Sequence, residues 1–372
     1  MNKEKSNGYT KLLVFFLIAV ILVFAFGLVA DGWQIGSEDG NSGNPDGPTN
    51  DGSSGNADEN KSPENEQEKE EIQPPKFYDA LSGLECTEEI SRSRPIAYVL
   101  DPASPLYGAS SAEMIFEFPT ETSGTRLLVI DTDLSKTPKL GSLAPTRDYI
   151  SNVSCFLSAI TVANGNDGRK INGACDVSKS YFDLSANAGY FYTEYSHFVY
   201  SNCDLINAGL RNTGINLSLS KEIALPFRFA ELNTEATPGK INAGEVILPF
   251  SEDSEVELYY SRETKKYAYV KDGTPVSDKL GDVPLSFDNV FVLFADTVTY
   301  EGSDSTEMVM NTMGEGRGFY ITGGFAREIK WQSDAGGTIT YTDESGEKIT
   351  VNRGVSYTGF IKSSKINNVS FS

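Results

Sequence analysis

Four side chains, spread along the chain, could together perform acid–base chemistry or bind an anion: Glu117, Arg126, Arg147 and His197. Glu117 lies in an otherwise apolar stretch, where an unpaired carboxylate would be costly. Arg126, on the next predicted strand, is its expected partner across the sheet. A carboxylate with two guanidinium groups and an imidazole could bind a carboxylated ligand or transfer protons. The alternative is a structural ion-pair network, which we favour.

His197 is the single histidine of the chain, so any Ser-His or Cys-His mechanism must use it. Its neighbours Tyr195, Phe198 and Tyr200 predict a buried, hydrogen-bonded ring. The chain has no G-x-S-x-G, no Walker A, no G-x-G-x-x-G after a strand and no H-E-x-x-H. We therefore predict no metal and no cofactor, and we favour a non-catalytic role over an enzymatic one.

The elements that must position these side chains follow from hydrophobic periodicity. Between residues 76 and 235, apolar β-branched stretches alternate with helical patterns. This alternation predicts an α/β domain with partly parallel pairing. The predicted strands span residues 95–101, 113–119, 124–131 and 159–163, and the predicted helices span 146–157, 178–186 and 201–213, the last capped by Ser201 or Asn202.

Strands dominate the chain from residue 236 to residue 372, after a Pro-Gly break. We predict a mostly antiparallel β domain there, in the form of a curled sheet or barrel. The fold class is therefore α+β, with an N-terminal α/β domain and a C-terminal β domain. The predicted strands span residues 245–250, 255–261, 265–271, 289–298, 317–322, 325–331, 338–342 and 348–351.

An uncharged apolar run of 19 residues, from Leu12 to Ala30, precedes both domains. As a helix it would span roughly 28 Å, close to the thickness of a bilayer core. Three lysines precede the run and Asp31 follows it, so residues 1–11 are expected in the cytoplasm and the rest outside. We predict a single-pass signal anchor in the cell membrane, with a cleaved signal peptide as the alternative.

Residues 31–75 form an acidic segment with twelve acidic residues and two lysines, a net charge of −10. Its Gly, Asn, Ser, Glu and Pro content predicts a disordered linker. The whole chain carries a formal charge of −21, which excludes nucleic acid as a partner because phosphate would be repelled.

The four cysteines are Cys86, Cys155, Cys175 and Cys203, and no two of them form a C-x-x-C pair. This spacing argues against zinc. Outside the membrane they could pair in any of three ways, or they could be buried free thiols.

Several motifs in this order resemble the YerB-like exported lipoprotein family. They include Ala112–Pro119, Thr125-Arg126, Gly141–Arg147 in place of the family's Gly-Pro-x-Arg-Ser-Ala-Arg, and Ser196–Ser201 in place of its Pro-His-Asn-x-Tyr. The resemblance covers essentially residues 78–361. It implies a two-domain, exported, membrane-tethered protein and says little about activity.

This chain departs from the family pattern in three ways. It has no lipid-bearing cysteine after the apolar run, and Ala144 stands where the family has its first arginine. The family's Arg-Asp before the histidine motif is also missing. If these groups form a working site, part of it is lost here.

The leading hypothesis is a membrane-anchored extracellular protein of the bacterial cell envelope that binds an envelope protein or cell-wall component without catalysis. The alternative is an exported hydrolase or transferase acting on a carboxylated cell-wall substrate. That enzyme would use Glu117 and His197, with Arg126 and Arg147 holding the anion.

Overall fold

A computed structural model describes residues 75–165, 177–195, 197–301, 306–334 and 338–372. The predicted cytoplasmic tail (1–11), the predicted membrane segment (12–30) and the predicted linker up to residue 74 lie outside the described residues. Within the described part of the chain, no helix is both long enough and apolar enough to cross a membrane.

The first half of the described chain is richer in strands than an α/β domain. The Asn202 side chain caps its longest helix by accepting from the Leu205 N–H, and Gly214 ends that helix, which confirms the predicted helix near 201–213. The predicted helix at 178–186 is wrong beyond Ser180, because a strand begins at Tyr181. The strands are β1 (Phe77–Tyr78), β2 (Glu85–Cys86), β3 (Ile96–Leu100), β4 (Met114–Pro119), β5 (Thr125–Asp131), β6 (Leu140–Gly141), β7 (Ile160–Ala163), β8 (Tyr181–Asp183), β9 (Tyr192–Glu194) and β10 (Phe198–Ser201), and the helices are α1 (Glu88–Ser91), α2 (Asp148–Phe156), α3 (Val177–Ser180) and α4 (Cys203–Thr213).

The second half is almost entirely β, as predicted. The segment expected as one strand at 289–298 is divided between β20 and β21, and β27 was not predicted. The strands are β11 (Arg228–Phe229), β12 (Ile241–Asn242), β13 (Glu245–Pro249), β14 (Glu255–Tyr260), β15 (Tyr267–Lys271), β16 (Thr274–Pro275), β17 (Ser277–Asp278), β18 (Val283–Pro284), β19 (Ser286–Phe287), β20 (Asn289–Ala295), β21 (Thr297–Glu301), β22 (Thr306–Met310), β23 (Glu315–Thr322), β24 (Phe325–Ser333), β25 (Ile339–Thr342), β26 (Thr350–Val351), β27 (Ser356–Lys362) and β28 (Ser370–Phe371).

An 11-stranded sheet runs through both halves of the chain in the order β12-β24-β23-β20-β27-β4-β5-β3-β7-β8, with β25 added at β24. The junction is β27, which pairs in parallel with β20 on one side and with β4 on the other. Parallel pairing also joins β3 to β7 and β7 to β8, as expected for the first half. The two halves therefore share one hydrogen-bonded sheet.

Both faces are covered along the middle of this sheet, which explains the continuously buried strands β3, β4 and β20, whereas β24 alternates between buried and exposed residues. Along β3, Ile96, Tyr98 and Leu100 face one core while Ala97 and Val99 face the other, as the period of two requires. A second, six-stranded sheet built around β13, β14 and β15 packs on the first face. Helix α2 packs on the second face. Helix α4 also packs on the first face, through Ile206 and Leu210. Around β4 and β27, residues pointing to the first face are enclosed between the two sheets.

Candidate functional site

Glu117 lies on β4, fully buried between the two sheets. Its carboxylate accepts four hydrogen bonds. The donors are the Thr125 hydroxyl at 2.6 Å, the Tyr357 hydroxyl at 2.7 Å, the Tyr269 hydroxyl at 2.9 Å and Lys271 Nζ at 2.9 Å. Lys271 also donates to Ser254 Oγ at 3.0 Å. Lys271 thus neutralises the charge of Glu117, and hydrogen bonds satisfy both oxygens of its carboxylate inside the protein.

The two tyrosines of this network stay protonated. Burial, and then the charge of Glu117, raises the pKa of the Tyr269 and Tyr357 hydroxyls well above the usual value. They come from β15 and β27, whereas Glu117 and Thr125 come from β4 and β5. The network therefore connects the first half of the chain to the second.

The expected partner of Glu117 was wrong. Arg126 lies opposite Phe118 in the β4–β5 pair, whereas Glu117 lies opposite Leu127. Because side chains alternate along a strand, Arg126 points to the opposite face from Glu117. It pairs instead with Asp101, at 3.3 Å.

Arg147 precedes α2 and pairs with Glu121, which follows β4. Arg126 lies close to the same carboxylate. Although partial burial opposes the shift, the hydrogen bond from Arg147 and the charges of Arg147 and Arg126 hold the pKa of Glu121 below its usual value. The two predicted arginines thus lie near one glutamate, Glu121. Arg126 also donates to the Thr125 carbonyl at 2.9 Å, so it touches the backbone of a residue whose hydroxyl bonds to Glu117. Neither arginine is among the hydrogen-bond or ion-pair partners of Glu117.

The prediction of a buried His197 was also wrong. His197 is exposed, just before β10, and its ring centroid lies 4.0 Å from that of Phe198. The four candidate residues therefore occupy three different environments: a sealed core for Glu117, a half-buried ion-pair cluster for the arginines and an exposed turn for His197. The structure does not bring them into one site.

Next to the turn that carries His197 lies a cluster of lysine and tyrosine side chains that was not predicted. Lys139 Nζ lies 4.1 Å from the ring centroids of both Tyr107 and Tyr200, and it pairs with Glu194 at 2.8 Å. Strand β10 pairs with β6 on one side and with β9 on the other, which holds these groups together. A cation between two aromatic faces beside a carboxylate is a stable arrangement. The density of tyrosines from 190 to 200 was the available signal.

Tyr195, in the turn between β9 and β10, is 78% exposed. Its φ of 51° lies in the left-handed region, which is unfavourable for an aromatic residue. The turn thus holds a large aromatic side chain in solvent at a cost in backbone energy, a combination that often marks functional positions. We call the surface formed by Tyr192, Tyr195 and His197 the tyrosine turn.

Among the residues that the structure describes, no group of three or more His, Cys, Asp or Glu side chains is placed to hold a metal ion. Of the cysteines described, Cys155 is disulfide-bonded, whereas Cys86 and Cys203 are free thiols. Burial raises the pKa of both free thiols, so neither is activated as a nucleophile.

These features define a class of predominantly β protein in which two segments of the chain share one sheet. A buried polar network lies where the segments meet, and a tyrosine turn is exposed at the surface. Two family models match the chain, namely the N-terminal domain of the protein of unknown function DUF3048 at residues 81–216 and its C-terminal domain at residues 246–358. The chain belongs to the DUF3048 family.

Among solved structures, the chain is similar to the YerB protein from Bacillus subtilis, with a TM-score of 0.67 and 20% sequence identity. The match covers 80% of this chain and 99% of the YerB chain, and it shows that the two share a fold. No curated protein matches the sequence.

Proposed function

We propose that this chain is an ectodomain of the bacterial cell envelope, anchored in the cell membrane by residues 12–30, that binds a cell-wall or envelope-protein component without catalysis. The apolar run, the lysines before it and the acidic linker after it support the location. The linker would let the folded part reach a partner away from the bilayer.

The observation that carries the binding role is the tyrosine turn. An exposed tyrosine offers a large, rigid contact area that loses little conformational entropy on binding, and such residues are enriched in interfaces. The Lys139–Glu194 ion pair and the two rings around Lys139 fix the base of the turn, so its surface is preorganised.

The contacts of Glu117 disfavour the alternative of an exported hydrolase or transferase. A general acid must reach its substrate, whereas this carboxylate is enclosed and accepts four internal hydrogen bonds. Arg126 and Arg147 each already hold a carboxylate of the protein itself.

Retention on isolated cell-wall sacculi, and on sacculi carrying their native proteins, tests the binding role. Tyr195→Ala is expected to reduce retention about tenfold, the effect of losing a central aromatic contact. Phe325→Ala is the matched control, because Phe325 is an exposed aromatic residue on β24 and 41% exposed. Equal retention of both variants and the parent would overturn the role of the turn, and release of soluble wall fragments would favour the enzyme.

The location is tested separately. Protease added to intact cells is expected to cut the chain after residue 30 and to leave residues 1–11 protected. Protection of the whole chain would contradict the proposed topology.

A further inference from the structure

A polar cavity of about 480 Å³ lies on the second half of the chain, far along the sheet from the β4–β27 junction. It is formed where β11, β24, β26 and the segment after Ala230 meet. Strands β11 and β26 pair in parallel there, with Arg228 opposite Thr350. The volume is in the range of sites that bind small molecules.

Arg327 is the anchored cation of this cavity. Its Nη2 donates to the Thr350 carbonyl at 3.1 Å, and its guanidinium carbon lies 5.2 Å from the Tyr320 ring centroid. These two contacts fix the plane of the guanidinium. Its Nε is buried and has no hydrogen-bond partner within the described chain. Because Nε is enclosed by the protein, a ligand would meet the terminal nitrogens Nη1 and Nη2, which can donate two parallel hydrogen bonds to a carboxylate.

The other charged side chains of the cavity fall into two groups. We call them committed when their charged atoms already bond within the protein, and uncommitted when they do not. Asp343 accepts from backbone groups of its own hairpin, Lys348 donates to the Leu225 carbonyl, and Glu235 pairs with Lys265.

Arg228, Glu231 and Glu347 are exposed at the wall of the cavity and take part in no ion pair among the residues described. The uncommitted groups are therefore Arg228, which suits an anion, and two carboxylates, which suit a cation. Arg327 adds the guanidinium donors that its hydrogen bond to the Thr350 carbonyl leaves unused.

We propose that this cavity binds a small zwitterionic ligand of the amino-acid or peptide class. Its carboxylate contacts Arg327 and Arg228, and its ammonium group contacts Glu231 or Glu347. A purely anionic ligand would meet the two uncommitted glutamates, and a purely cationic one would meet the two arginines. This site is separate from the tyrosine turn, and its ligand need not be the partner bound there.

Calorimetric titration of the full chain in detergent with the dipeptide alanyl-alanine tests the site. We expect a dissociation constant below about 1 mM for the free dipeptide. Its C-terminal amide should bind about tenfold more weakly, because the bidentate contact to the guanidinium is lost. Saturable binding that does not distinguish the dipeptide from its amide, or no saturable binding, would overturn the proposal.

Three variants locate the binding. Arg327→Gln and Arg228→Gln should each weaken it about tenfold or more. Arg228 is exposed, so its variant keeps the test valid if Arg327→Gln fails to fold. Arg317→Gln is the matched control, since Arg317 lies on the adjacent β23, is exposed and pairs with Glu328. An equal loss of dipeptide affinity in Arg317→Gln would overturn the proposed site. Retention on cell-wall sacculi should be unchanged in all three variants, because it depends on the separate tyrosine turn.

Discussion

Removing the positive charge next to Glu117 should be among the most destabilising single changes in the chain. Lys271→Met keeps most of the side-chain volume and deletes the ammonium group. The change removes two charged hydrogen bonds, to Glu117 at 2.9 Å and to Ser254 at 3.0 Å. It leaves a fully buried carboxylate without a counter-charge.

Leaving one member of a buried ion pair behind costs about 3–5 kcal/mol. Three hydroxyl donors, from Thr125, Tyr269 and Tyr357, still solvate the carboxylate of Glu117. We therefore expect Lys271→Met to lower the free energy of unfolding by about 3 kcal/mol, the lower end of this range. That is a large part of the ~5–15 kcal/mol by which folded domains are stable.

Urea denaturation followed by tryptophan fluorescence measures this loss, because Trp331 is only 1% exposed. Lys265→Met is the matched control: Lys265 pairs with Glu235 through side chains that are 69% and 71% exposed. Because an exposed ion pair is screened by solvent, Lys265→Met should lower the free energy of unfolding far less than Lys271→Met.

The double variant Glu117→Gln/Lys271→Met removes both charges and should recover more than half of the loss. If Lys271→Met and Lys265→Met lower the free energy of unfolding by the same amount, the reasoning about the buried ion pair is refuted.

Two further predictions concern the first half of the chain. Burial, and then the nearby carboxylates of Asp131 and Asp79, raises the pKa of Glu113 from 4.5 to about 8. Between these values the folded state binds more protons than the unfolded state, so stability falls as pH rises. Glu113→Gln should therefore stabilise the protein more at about pH 8 than at about pH 5, by at least ~1.4 kcal/mol, and a pH-independent effect on urea midpoints would contradict this. In α4, a Cβ on Gly209 would lie 2.2 Å from Phe182 Cζ. Gly209→Ala should cost about 1–2 kcal/mol of unfolding free energy despite its better helix propensity, and a rise in the melting temperature would show that Phe182 can move.

The elements that the sequence predicted well are those with local signals. Helix α4 has an Asn202 cap and a Gly214 stop, and β4 and β5 are apolar runs bounded by turn residues. Their boundaries fall within one or two residues of the prediction, because capping and periodicity depend on neighbours in sequence.

Strand β27 was missed for a physical reason. Ser356–Lys362 contains Gly359 and three hydroxyl-bearing residues, so it lacks the alternation of a half-exposed strand. It is buried because β20 and β4 pair on both sides of it, and those strands are distant in sequence. A Cβ on Gly359 would lie 3.2 Å from Leu248 of β13 and 3.4 Å from Phe250, which follows β13, a proximity that no local pattern reports.

For the candidate residues, sequence established that Glu117 needed a partner, since a carboxylate in an apolar strand is costly when unpaired. Only the tertiary structure decided that the partner is Lys271, 154 residues away, rather than Arg126 on the neighbouring strand. The period of two sends Arg126 to the opposite face, and parallel pairing through β27 brings the second half of the chain to Glu117. Residue type and spacing thus set which groups must be satisfied, while the pairing of distant strands determined what satisfies them.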